Sequence, residues 1–145
     1  MTSKIITFFI VFSSLVMGVN ALQASSPSGS TQPAVDVKGT WSGTFFSKYS
    51  NVAPFTMTVV ISPNSVGHLI GNSTLNSECL KGAQLEVTVT GSNVVLAGSN
   101  EEGDSLTVRG TLDSTDALLK ASYIMNGSAS GRCETDNGTG NLAKR

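Results

Sequence analysis

The chain of 145 residues is predicted to fold as an all-β, antiparallel up-and-down barrel of about eight strands. Three observations point there. Beyond the first twenty or so residues helical periodicity is absent, while apolar and polar residues alternate in short runs that recur every 10 to 13 residues. The polar phase of those runs is rich in threonine and the apolar phase in branched aliphatics, as suits a sheet wet on one side and therefore antiparallel. The strands are short and even in number with short links, a meander that escapes exposed edges by closing on itself. Alternation alone also allows a two-sheet sandwich.

The first segment is not part of the barrel. Lys4 precedes an apolar run from Ile5 to Val19, and Val19-Asn20-Ala21 places small residues at the first and third positions before a cut after Ala21. This pattern predicts a secretory signal peptide over 1–21, with an apolar segment too short to span comfortably and no membrane span after cleavage. The mature chain is expected to be secreted or periplasmic. Residues 22–36, mostly Ser, Pro, Gly, Gln and Thr, predict a short disordered leader. A single domain then occupies 37–145, long enough for one core but not two.

Strand 1 is expected near 38–47, where Trp41, Gly43 and Phe45 of "KGTWSGTFF" share a face. Strand 2, near 54–62, alternates Phe55, Met57, Val59 and Ile61 with Thr56, Thr58 and Val60. After the turn cluster Pro63-Asn64-Ser65, strand 3 runs near 67–75 with Leu69 inward. Strand 4, near 84–90, turns Leu85, Val87 and Val89 inward; Gly91-Ser92-Asn93 then leads into strand 5 near 93–98, with Leu96. Strand 6, near 105–112, carries Leu106, Val108 and Leu112 and ends at the turn from Asp113 to Asp116. Strand 7, near 118–125, presents Leu119, Tyr123 and Met125, and strand 8 closes the set near 138–144.

In a meander, strand direction flips at every link, so the four odd links share one end. Those are the long pieces "SKYSNVAP", "NSECLKGA", "SNEEGD" and "NGSASGRCETDN", and both cysteines fall among them. An even cysteine count in an oxidising compartment predicts a Cys79–Cys133 disulfide across that mouth. Closing a loop of about 54 residues stabilises by roughly 4 kcal/mol in the chain-entropy description. Gly- and Ser-rich loops on a rigid scaffold are where binding residues tend to lie, so Tyr49, Glu101, Glu102, Asp104 and Arg132 are candidate interaction residues at this end.

Several chemistries are disfavoured. Removal of Lys4 with the signal leaves eight basic and ten acidic residues, and Lys38, Lys48, Lys81, Arg109, Lys120 and Arg132 are scattered singly, which argues against nucleic acid or an anionic membrane as partner. The single histidine, His68, has neither a carboxylate nor a nucleophile nearby in sequence, so a Ser-His-Asp hydrolase is not supported. Glu101-Glu102-Gly103-Asp104 lacks the spacing of a calcium loop and reads as a charged hairpin tip. Glu134 or Asp136 could face Glu101 or Glu102 as a glycosidase pair, but that chemistry is defined by a separation that sequence does not give. Asn72, Asn126 and Asn137 head Asn-x-Ser/Thr triplets, two of which are also Asn-Gly turn signals. No enzyme, metal or cofactor is expected.

"VKGTWSGTF" at the first strand, the glycines of "LIGNST" and "VRGTL", and the close "CETDNGTGNLAKR" resemble small lipocalin-like barrel domains of exported bacterial proteins. The Gly-x-Trp of Gly39-Thr40-Trp41 is similar to that of the wider calycin group, which includes lipocalins, fatty-acid-binding proteins and avidins. The resemblance implies an eight-stranded barrel that binds a small apolar ligand inside or a protein partner through its loops. For a ligand, Trp41 would form part of the floor and Phe45, Phe55, Met57 and Tyr123 the lining. The inward set is bulky, and eight strands can be just wide enough for side chains alone to fill. Two expectations therefore stand: a carrier of a small hydrophobic molecule, or an interaction module, such as an inhibitor or envelope-associated factor, working through the loops of the disulfide-tied end.

Overall fold

The alternating runs become eight strands in a computed structural model that describes residues 35–81 and 83–145. They are β1 (Gly39–Ser47), β2 (Phe55–Pro63), β3 (Leu69–Leu75), β4 (Gln84–Thr90), β5 (Asn93–Ser99), β6 (Ser105–Leu112), β7 (Leu118–Asn126) and β8 (Asp136–Lys144). Each pairs antiparallel with its sequence neighbours, and β8 returns to β1 through partners such as Leu142 and Gly43. The sheet is thus a closed up-and-down barrel, and the sandwich alternative is not adopted. The signal peptide expected over 1–21, and the leader as far as residue 34, lie outside the described residues. The last two leader positions are described: Val35 packs against the core, and the Asp36 carbonyl accepts a hydrogen bond from Lys144 Nζ at 2.8 Å.

Strand periodicity sends Trp41, Phe45, Met57, Val59, Leu85, Leu96, Leu106, Val108, Tyr123 and Leu142 inward, and all are buried. An eight-stranded barrel has little room for rings this large, and glycines at inward positions supply it. A Cβ on Gly140 would lie 2.5 Å from the Phe45 ring, and one on Gly43 would overlap the Asn141 carbonyl oxygen. Strands β1 and β8 can therefore approach closely while Phe45 occupies the space that a side chain on β8 would need.

Both ends are covered. At one, the Trp41 indole N–H donates to the Val37 carbonyl at 2.8 Å, which draws the incoming chain across the opening, and Lys144 Nζ stands 5.6 Å above the indole ring. At the other, Cys79 and Cys133 reach from the β3–β4 and β7–β8 links on opposite sides of the ring and form the disulfide, with Cα atoms 4.7 Å apart. Leu80 follows in a left-handed conformation (φ 57°) that turns its side chain into the barrel, where it is 1% exposed. That backbone conformation costs about 1–2 kcal/mol for a residue with a Cβ, which burial of a leucine, worth about 2 kcal/mol, offsets.

Candidate functional site

The interior is built from aromatic rings that pack on one another. Phe45 stacks on Phe55 with centroids 5.3 Å apart, and Tyr123 meets both edge-on at 5.5 and 5.0 Å. Met57 is buried in the same inward set as these rings, while Trp41 plugs the opposite end. The cavity bounded by Trp41, Ile61, Val94, Leu96, Leu112, Leu119 and their neighbours measures about 10 Å³. That is the space of a single water, against the several hundred cubic ångströms of a small-molecule site.

One polar cluster lies within this interior. The Tyr123 hydroxyl donates to Asp136 Oδ2 at 2.5 Å, and Ser47 Oγ donates to Asp136 Oδ1 at 2.7 Å while accepting the Tyr49 N–H at 3.0 Å. Burial alone would raise the Asp136 carboxyl, but the hydroxyls of Tyr123 and Ser47, the Asn137 N–H and the charge of Lys48 outweigh it and hold the group below its usual value of 3.8. Burial, reinforced by the Asp136 partner, drives the Tyr123 phenol above its usual value. These residues satisfy one another, and Asp136 faces inward rather than toward Glu101 or Glu102.

The odd links meet at the other side of that cluster. Between the β3–β4, β5–β6 and β7–β8 links an open groove of about 410 Å³ is lined by Glu78, Lys81, Asn100, Glu101, Glu102 and Arg132. The disulfide explains part of this set: Glu78 precedes Cys79 and Arg132 precedes Cys133, so bonding the cysteines brings the two charges together, with Arg132 3.9 Å and Lys81 3.5 Å from Glu78. Both pairs are exposed and weak as stabilising elements. Glu101 and Glu102 have no ion-pair partner among the described residues.

Asp104 sets the groove's base rather than its surface. Expected among the exposed loop residues, it is instead fully buried, because its carboxylate collects backbone N–H groups from the facing link: Ser128 at 2.8 Å, Arg132 at 2.8 Å and Cys133 at 3.2 Å, with the Asn100 amide at 3.4 Å. The Ser128 N–H foremost, with the other donors, holds this carboxyl below 3.8 against the opposing effect of burial. Gly131 permits the approach, since a Cβ there would overlap the carboxylate. The same loop is fixed from above, where the Ser128 and Ser130 hydroxyls donate to the Glu102 carbonyl. Oδ2 accepts three of these donors and Oδ1 the fourth, so the carboxylate is turned to the facing link and not presented beside Glu101 and Glu102.

Of the expected loop-end residues the structure brings Glu101, Glu102 and Arg132 to one groove. Tyr49 stands apart on the β1–β2 link, half exposed, with Lys48 Nζ 4.9 Å from its ring. Glu78, Lys81 and Asn100 were not foreseen, although the position of Glu78 beside Cys79 is a signal that could have found it. Comparison of the chain with protein-family models, curated proteins and solved structures finds no match.

Proposed function

We propose that the chain is an exported, non-enzymatic barrel of the lipocalin-like, calycin type that engages a protein partner through the groove at its disulfide-tied end. The observation that carries this reading is the contrast between the two candidate sites: a ring-packed interior whose cavity beside Trp41 measures about 10 Å³, and a loop groove of about 410 Å³. An apolar ligand would have to displace the packed rings of Phe45, Phe55 and Tyr123 or lift Trp41 from Val37, whereas the groove accepts a guest with no rearrangement. Its base is held by a disulfide and a buried carboxylate, so little ordering free energy opposes association. Glu101 and Glu102, without an ion-pair partner among the described residues, make a basic side chain the natural complement.

The test is capture of partners from the exported fraction of the producing cells with immobilised wild-type chain, beside the doubly substituted Glu101→Gln, Glu102→Gln chain and an Arg132→Gln chain. Capture that survives in wild type and fails in the loop variants, with unchanged thermal midpoints, supports the groove. Indole fluorescence of Trp41 titrated with fatty acids and apolar dyes is the counter-test. A saturable change there would return the function to the interior.

A further inference from the structure

A second surface lies on the barrel wall, away from the loop groove. Two shallow, open grooves of about 420 and 450 Å³ lie on the outer wall, one over β7, β8 and β1 and the other over β5, β6 and β7, and Lys120 and Ser122 border both, which makes one continuous stretch of wall. The registers place its floor in two adjacent rows. One runs Val95, Arg109, Ser122, Thr139, Phe46 across five strands, and the next runs Asn93, Thr111, Lys120, Asn141, Thr44. At about 4.8 Å between strands the first row runs roughly 19 Å along the outer curve of the barrel, so a ligand reaching from Arg109 to Phe46 follows that curve.

Three features of that floor point to one ligand class. Arg109 and Lys120 are diagonal neighbours on adjacent strands, about 7–8 Å apart at Cα, and neither forms an ion pair among the described residues. No carboxylate faces outward from β5 to β8 or β1, because Asp136 is buried. Around the two cations stand hydroxyls and carboxamides, Thr111, Ser122, Thr139, Asn93 and Asn141, which can donate and accept toward a hydroxyl-rich partner. At the far end the Phe46 ring, 56% exposed, offers a flat apolar face.

We propose that this wall binds an acidic polysaccharide with well-spaced carboxylates, of the polyuronate kind. Two cations are too few to hold a densely charged polymer, whose affinity rests on many neutralised phosphates or sulfates. An acidic peptide is the poorer fit. A peptide gains much of its affinity on a sheet by adding a strand to an edge, and the closed barrel has no edge.

The experiment measures binding of the full chain to polygalacturonate, neutral dextran and poly-L-glutamate, at low and high salt. Polygalacturonate is expected to bind with salt-weakened affinity, dextran not to bind, and poly-L-glutamate to bind more weakly. The Arg109→Gln, Lys120→Gln chain should lose roughly tenfold or more of the affinity, equivalent to about 1.4 kcal/mol, and Phe46→Ser should weaken binding without changing its salt dependence. All three positions are exposed, so the variants stay folded, and an unchanged thermal midpoint verifies it. Glu101→Gln, Glu102→Gln should bind as wild type, which separates this wall from the loop groove. The proposal is overturned if polygalacturonate does not bind, if the Arg109 and Lys120 variant binds it equally, or if poly-L-glutamate binds as tightly.

Discussion

The buried carboxylate of Asp104 accepts the backbone N–H of Arg132 at 2.8 Å, while the Arg132 side chain turns outward to within 3.9 Å of Glu78. One residue thus joins the inner scaffold of the loop end to its outer face. The carboxylate binds the backbone and leaves the guanidinium free to line the groove. Because Cys133 follows Arg132 and also donates to Asp104, the disulfide and the carboxylate fix the same short stretch from two sides.

Asp104→Ala should therefore disturb the groove without emptying the core. Three backbone N–H groups would lose their acceptor, and buried donors left unpaired are costly. Thermal melts are expected to show a lower midpoint, and amide exchange of Ser128, Arg132 and Cys133 to accelerate while that of the strands changes far less. Equal acceleration across the barrel would mean that Asp104 acts on the whole fold.

Removing the disulfide, by Cys79→Ala with Cys133→Ala or by reduction, releases a constraint between residues 54 apart. The expected loss is about 4 kcal/mol, a fall in thermal midpoint of roughly 15 °C for a domain of this size. Because Glu78 and Arg132 would then separate, partner capture should weaken before the barrel melts. A midpoint that does not move on reduction would contradict the tie across the mouth.

The buried ionisable groups set a stability window in pH. Asp104 and Asp136 have carboxyls held below 3.8, so the stability they contribute is complete above that value and lost as pH falls through their lower folded-state values. Tyr123 behaves oppositely: with its phenol raised, stability is complete below 10.0 and declines as pH rises above it. Denaturant melts across pH should reveal both limbs. Tyr123→Phe should abolish the alkaline limb, shift the acid limb to higher pH by removing a donor from Asp136, and cost about 2 kcal/mol at neutrality. An alkaline limb that persists in Tyr123→Phe would assign it to another group.

Gly140→Ala probes whether the core is as full as its geometry indicates. The added methyl meets the Phe45 ring and the Thr44 carbonyl, an overpacking expected to destabilise by about 3 kcal/mol. A neutral effect would mean that the packing around Phe45 holds slack of at least a methyl group.

Much of this architecture was legible in the sequence because a two-residue period commits every side chain in a strand at once. The eight strands, the shared end of the odd links and the Cys79–Cys133 tie follow from that period, the turn residues and the cysteine count. What alternation does not carry is the destination of a polar residue in a link. Asp104 looked like a surface charge because its acceptors are satisfied by backbone N–H groups 24 to 29 residues away, and backbone donors leave no mark in a sequence. The Tyr123–Asp136–Ser47 cluster was hidden likewise, since it joins three strands, β7, β8 and β1, by side chains alone. The filled interior depended on glycines such as Gly140, whose effect is set by which ring stands opposite.

Site-specific photocrosslinking in the producing cells tests most directly whether the disulfide-tied end is the working face. A photoreactive residue at Glu102, on the groove, is compared with one at Val66, 72% exposed on the β2–β3 turn at the opposite end. A discrete adduct from position 102, absent from position 66 and lost when Glu101 is replaced by glutamine, is the expected result. Adducts from position 66 with none from position 102 would contradict it.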